Sequence, residues 1–203
     1  MLNQRQKILH EATELFLEKG FAMTSTIEIA RKVGCNQALV HYYFHTKEQL
    51  FQQVFMAKTE AILGLFVEMK PSGNDFFSQL ENYINAYFDM LVCDRRLPFF
   101  IFNELLLNDR RRCFLRQMLI RTTPYSHVYY VTDAAVQREV HQGIIRPIKT
   151  IDLLLNIVSL TVMSFLALPI YRDVLQCNAK EVNTYLQQRR REVVTTIVKS
   201  LQP

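Results

Sequence analysis

The chain has 203 residues, long enough to bury a core as one domain or two small ones. A hydrophobic content of 49% excludes a disordered chain, and a formal net charge of +5 admits a polyanion partner without establishing one. With five glycines and six prolines there are few turn signals, which favours long helices over many short strands.

Residues 4–19 form the first expected helix, with Ile8, Ala12, Leu15 and Phe16 on one stripe; Gly20 is expected to end it and Phe21 to fold back onto it. Within it, His10-Glu11-Ala12-Thr13-Glu14 starts like a zinc-protease motif but has glutamate where the second histidine is required, so it reads as a solvated face. Thr24, Ser25 and Thr26 offer a cap for a second helix. Ser25 and Glu28 have capping-box spacing, Ile29, Ala30 and Val33 give an apolar face, and Gly34 is a helix stop. A second short helix over residues 36–43 turns Leu39 or Val40 inward and leaves Gln37, His41 and Tyr42 or Tyr43 free to point outward. Two short helices joined through a glycine turn are what a DNA-reading helix-turn-helix requires.

Thr46 caps the next expected helix, which starts at Lys47 and Glu48 and runs to about residue 70. Pro71-Ser72-Gly73-Asn74 is the clearest loop. A helix over residues 75–92 follows, with Phe76, Leu80, Tyr83, Ile84, Tyr87, Phe88 and Leu91 at core spacing. Pro98 opens a further helical piece. Arg110-Arg111-Arg112 reads as a solvated helix surface.

Another helix covers residues 126–142 and stops at Gly143, then one largely apolar helix spans about 150–168. Residues 153–171 lack any charge over 19 positions, but they contain Asn156, Ser159, Thr161, Ser164 and Pro169 and have no second apolar partner. The segment is therefore expected to be buried in a core or subunit interface, with no membrane span. Asn178 and Glu181 cap the last helix, residues 179–201, whose stripe is Val182, Leu186, Arg189, Val193 and Ile197. No segment alternates as a strand, so the fold is expected to be all-α. Cys35, Cys93, Cys113 and Cys177 form no C-x-x-C pair and read as reduced thiols. The N-terminus lacks the apolar run of a signal peptide, and the expected localisation is cytoplasmic.

The first three helices resemble the TetR family of transcriptional regulators. The resemblance rests on Ala12, Leu15, Phe16, Gly20 and Phe21, then Thr24, Ser25, Ile29, Ala30 and Gly34, then Tyr42-Tyr43-Phe44, Lys47, Glu48 and Leu50. It covers about residues 5–51. Cys35 stands where the family usually has valine, and Ala38 and His41 where it often has glycine and tyrosine. The resemblance implies a DNA-binding domain over residues 1–58, with its helix-turn-helix at about 25–44. A long helix would join it to a helical ligand-binding and dimerisation domain over 59–203.

Carried over position by position, the DNA-facing residues would be Thr24, Ser25, Thr26, Gln37, Ala38, Leu39, His41, Tyr42, Tyr43 and Lys47. Gln37 can pair with an adenine edge and Ala38 or Leu39 can meet a thymine methyl, while His41, the tyrosines and Lys47 can hold phosphates. The partner implied is double-stranded DNA carrying a palindromic operator. One domain reads a half-site, so a homodimer through the last two helices, 150–168 and 179–201, is expected.

Tyr83, Tyr87, Phe102, Phe114, Met118, Tyr129 and Met163 are the candidate lining of a pocket for a small, largely apolar effector. The function expected is that of a repressor released by such a ligand; the alternative is an architectural or cell-cycle DNA-binding factor of the same fold without an inducer. No cofactor or metal site is expected: His41 and His45 are four apart but have no acidic or thiol ligand nearby. An enzyme is disfavoured, since no G-x-G-x-x-G, P-loop, G-x-S-x-G or H-E-x-x-H is present.

Overall fold

The computed structural model describes residues 3–67, 76–121 and 123–203, and within them every regular element is helical. The helices are α1 Gln4–Met23, α2 Thr26–Val33, α3 Gln37–Phe44, α4 Lys47–Val67, α5 Phe76–Cys93, α6 Leu97–Leu107, α7 Asp109–Arg121, α8 Thr123–His141, α9 Thr150–Leu166, α10 Leu168–Leu175 and α11 Ala179–Leu201. The expected loop at Pro71-Ser72-Gly73-Asn74 and the side chain of Met118 lie outside the described residues.

The chain forms two compact units. The first comprises Met1–Ala61 together with Phe99–Phe114, the second Ile62–Pro98 with Leu115–Pro203. The first unit therefore extends beyond the contiguous N-terminal segment expected from sequence and takes in most of α6 and the start of α7.

In the first unit α1, α2 and α3 pack on one another, and α1 meets α4 through Phe16 and Phe51. Ile8, Ala12, Leu15 and Phe16 of α1 are buried, as the spacing requires, with Ile29, Ala30, Val40, Phe44, Leu50, Phe51, Val54 and Phe55. Phe51 is the hub: its ring lies 5.0 Å from Phe16, 5.2 Å from Phe21, 5.9 Å from Phe55 and 5.6 Å from Phe100. Edge-on and tilted ring contacts of this kind add to the burial of apolar area.

Gly20 breaks the helical path of α1, as expected, and a short helical piece follows it. The glycine adopts φ 74°, ψ 176°, a region open almost only to glycine, and the helix kinks there and continues to Met23. Phe21 does fold back, stacking on Phe16 at 6.3 Å.

In the second unit α5, α9 and α11 pack mutually, with α8 and α10 against α9. Leu80, Tyr83, Ile84, Tyr87, Phe88 and Leu91 of α5 are all buried, and so are Val182, Leu186, Val193 and Ile197 of α11. Phe88 meets Phe165 of α9 at 5.0 Å, and the Arg190 guanidinium lies over the Phe88 ring, 5.2 Å from its centroid. Asn178 and Glu181 form the expected reciprocal cap of α11. The apolar stripe of α11 is thus spent inside its own chain.

The helix expected at 150–168 is α9, and a further helix not expected from sequence, α10, follows it. Pro169 lacks an N–H to continue the ladder, and α9 and α10 meet with a 42° bend. No single described helix is long and apolar enough to cross a membrane; the bent α9–α10 pair passes by length and composition, and Leu153, Ile157, Val162, Phe165 and Leu168 within it are buried in the chain.

Candidate nucleic-acid interface

The reading head is built from local capping. Ser25 starts α2 by accepting the Glu28 N–H at 3.1 Å. The Glu28 carboxylate does not return to the cap; it takes the Lys19 ammonium at 2.6 Å, a bond that holds the lysine above and the glutamate below their ordinary pKa values. Gly34 closes α2 in the left-handed conformation, φ 74° and ψ 35°, with its N–H on Ala30 and Arg31 carbonyls. Asn36 then opens α3 by accepting the Leu39 N–H at 2.9 Å. Val40 and Phe44, four residues apart, anchor α3 in the core.

That anchoring fixes which side of α3 faces water. Gln37, Ala38, His41 and Tyr42 are exposed, Leu39 and Tyr43 half-buried, and Tyr42 keeps 73% of its surface accessible. A large aromatic ring left so open has no role in the core, and it stands 5.2 Å from Tyr43 in an edge-on pair. Ser25 is exposed and Thr26 half-buried beside this face.

A hydrogen-bond chain orders the exposed side chains. Gln37 Nε2 donates to Thr26 Oγ1 at 2.9 Å and lies 3.2 Å from His41 Nε2. His41 Nδ1 is 3.0 Å from the His45 carbonyl, which can only accept. Nδ1 therefore carries the proton in the neutral ring, and Nε2 accepts from Gln37. Two consequences follow. Gln37 must release Thr26 or His41 to donate to an adenine N7, and neutral His41 has no N–H left for a phosphate; that role requires the imidazolium.

Thr24 does not belong to this face. It is 2% exposed, and its hydroxyl lies 3.2 Å from the Leu15 carbonyl and 2.9 Å from the Gly20 carbonyl, donating into the end of α1. Expecting it on DNA overlooked that a hydroxyl beside a kinked helix is drawn to the freed carbonyls.

Lys47 opens α4 after Thr46, whose hydroxyl accepts the Gln49 N–H at 3.1 Å as the sequence suggests. Its ammonium sits 4.2 Å over the Phe21 ring, and burial, then the nearby Arg111 charge, lowers its pKa. Arg111 itself overturns the reading of residues 110–112 as a solvated surface. Its side chain is 4% exposed and is clamped by Glu104 and Glu48, while Arg110 and Arg112 stay exposed. Nothing in a run of three arginines tells which one turns inward, and Glu104 lies on the preceding helix.

The candidate effector residues are divided between the two units. Tyr83 and Tyr87 are buried on α5 in the second unit, their rings stacked at 6.4 Å. Phe102 and Phe114 belong to the first unit. Phe114 borders a cavity there of about 450 Å³ with Phe21, Phe51, Phe55 and Arg110. Tyr129 and Met163 are exposed, 41% and 61%, in the single chain. Among the described residues no three His, Cys, Asp or Glu side chains are grouped to hold a metal ion.

A capped, two-helix head with a core-anchored second helix and an ordered polar outer face defines a helix-turn-helix DNA-binding regulator. Residues 8–54 match the family model "Bacterial regulatory proteins, tetR family". The "Probable HTH-type transcriptional regulator YttP" of Bacillus subtilis (strain 168) is 26% identical over 141 residues, 68% of each chain. "HTH-type transcriptional regulator QacR" of Staphylococcus aureus (strain Mu50 / ATCC 700699) is 38% identical over 53 residues, 26% of this chain and 28% of that protein. A bacterial regulatory protein of the tetR family from Rhodococcus RHA1 shares the fold at a TM-score of 0.73 and 16% identity, over 100% of this chain and 98% of that one. Residues 8–54 thus carry the DNA-binding domain of the TetR family of bacterial regulatory proteins.

Proposed function

We propose that the protein is a repressor that occupies a palindromic operator as a homodimer and is released by a small, largely apolar ligand. The observation that carries the DNA reading is α3: Val40 and Phe44 hold it in the core while Gln37, Ala38, His41 and Tyr42 stand exposed and Gln37 is pre-ordered by Thr26 and His41. Gln37 with Ala38 and Leu39 reads bases; Ser25, Thr26, Tyr42, Tyr43 and Lys47 hold phosphates. The dimer reading is supported by α9, where Ile151 (46%), Leu155 (58%) and Met163 are exposed at multiples of four residues along one side of a helix whose opposite side is core. α11 would add polar contacts, because its apolar stripe is already buried. An apolar effector is supported by the aromatic interior around Tyr83 and Tyr87, and it would act by preferring the state in which the two heads are misaligned.

Selecting duplexes from a random pool with purified protein tests this. The expected outcome is a palindrome with half-sites about 34–36 Å apart, or a multiple of that. Hundreds of scattered genomic sites without a palindrome would favour the architectural alternative. Small apolar metabolites screened against the bound operator should include one that raises the dissociation constant. Sedimentation should give a dimer for the native chain at micromolar concentration and a monomer for Leu155→Glu; a native monomer would remove the dimer.

A further inference from the structure

A buried charge cluster lies beneath the reading head, wholly inside the first unit. Arg111 Nε donates to Glu104 Oε2 at 2.7 Å, and its Nη1 donates to Glu48 Oε1 at 2.5 Å. The guanidinium carbon is 3.9 Å from the Phe51 ring centroid and 4.3 Å from that of Phe21. The other Glu104 oxygen accepts the Phe21 N–H at 3.2 Å, the group that the Gly20 kink turns out of the helix ladder. Lys47 Nζ rests 4.2 Å over the same Phe21 ring. Phe21 is therefore held by its backbone through Glu104 and by its π-face through Arg111, and it in turn carries the Lys47 ammonium.

Each link has a physical reason. A buried guanidinium needs hydrogen-bonded carboxylates, and the two glutamates supply them to two different nitrogens of its planar fork. Two cations around one ring would repel, and the neutralising glutamates keep both in place. Lys47 and Glu48 are neighbours at the start of α4, so Arg111 reaches the lysine by two routes: Phe21 from one side and the backbone at Glu48 from the other.

We propose that Arg111 is a positioning residue for DNA binding. It never touches DNA but fixes Phe21 and Glu48 so that Lys47 presents its ammonium to a phosphate. This rests on the reading of Lys47 as a phosphate anchor.

The test is a double-mutant cycle in anisotropy titrations of the selected operator duplex over a range of salt. Its members are the native chain, Lys47→Ala, Arg111→Met with Glu104→Gln, and the three changes combined. Removing Arg111 and Glu104 together avoids stranding a buried charge. If that pair does not melt cooperatively, Arg111→Lys takes its place, keeping a positive charge without the fork.

The Arg111 variant should lose roughly tenfold in affinity, the worth of one charge-assisted contact, and its salt slope should flatten by about 0.9. In the Lys47→Ala background it should lose nothing further. Native affinity and slope in the folded Arg111 variant, or losses that simply add to those of Lys47→Ala, would overturn the assignment. A native chain that binds no duplex sinks the DNA reading and this proposal with it, whereas a binding native chain and an equally good Arg111 variant sink only the role of Arg111.

Discussion

At the residue scale, the exposed face and the buried frame make opposite demands, and two neighbouring positions separate them. Gln37 is exposed, with both amide hydrogens satisfied by Thr26 and His41. Gln37→Ala should relax base preference at one operator position by about 1–3 kcal/mol while leaving the salt slope alone. Selection of bound sequences reads this directly, and an unchanged preference would assign base reading elsewhere. Thr24 is the reverse case. Thr24→Val removes a hydroxyl that donates into the end of α1, and should cost about 1–2 kcal/mol of stability in urea melts with no change in salt slope. A flattened slope would put Thr24 back on DNA. The sequence made both residues equal candidates, because side-chain chemistry suits a threonine equally to a phosphate and to a backbone carbonyl. What decides is burial, and burial of Thr24 depends on the kink one turn earlier. Arg111 was hidden for the same reason: its partners Glu48 and Phe21 lie 63 and 90 positions away in the chain.

At the element scale, apolar spacing located every helix of the reading head, because each buries one regular stripe. Ile8, Ala12, Leu15 and Phe16 are an example, and Ser25 and Asn36 mark the starts of the two short helices. Breaks inside apolar stretches were less legible. α10, which follows α9 at Pro169, was not expected, because lack of charge says where a segment is buried but not where it bends. Gly20 was recognised as a break but not as a kink within a continuing helix. Its conformation has a use: it frees the Phe21 N–H for Glu104. An added Cβ would meet Glu104 Oε1 at 3.8 Å, an ordinary contact, so the penalty of substitution is conformational. Gly20→Ala should destabilise the fold by about 1–3 kcal/mol, near 2–4 °C of melting temperature per kcal/mol. An unchanged melting temperature would show that the kink relaxes without strain.

At the scale of the whole molecule, the sequence did not show the return of Phe99–Phe114 to the first unit, since that grouping depends on contacts between distant segments. The second unit carries its own pH signature. Tyr83 and Tyr87 stack inside α5, and burial pushes both phenols up from 10.0, Tyr87 to about 12 and Tyr83 further, with the Tyr87 charge adding to the effect on Tyr83. Their folded-state pKa values exceed the unfolded ones, so the stability this represents is fully present below pH 10 and is lost as pH rises through the folded values. For Tyr87 alone the loss approaches roughly 3 kcal/mol by the top of its window, two pH units at about 1.4 kcal/mol each. Tyr87→Phe keeps the ring and removes the ionisable oxygen. Urea unfolding of the native chain and this variant should therefore agree closely at pH 8 and diverge above pH 10, with the variant the more stable. Adding Tyr83→Phe should widen the gap. Parallel loss of stability in all three chains between pH 8 and 12 would show that these phenols do not govern alkaline unfolding of the α5–α9–α11 core.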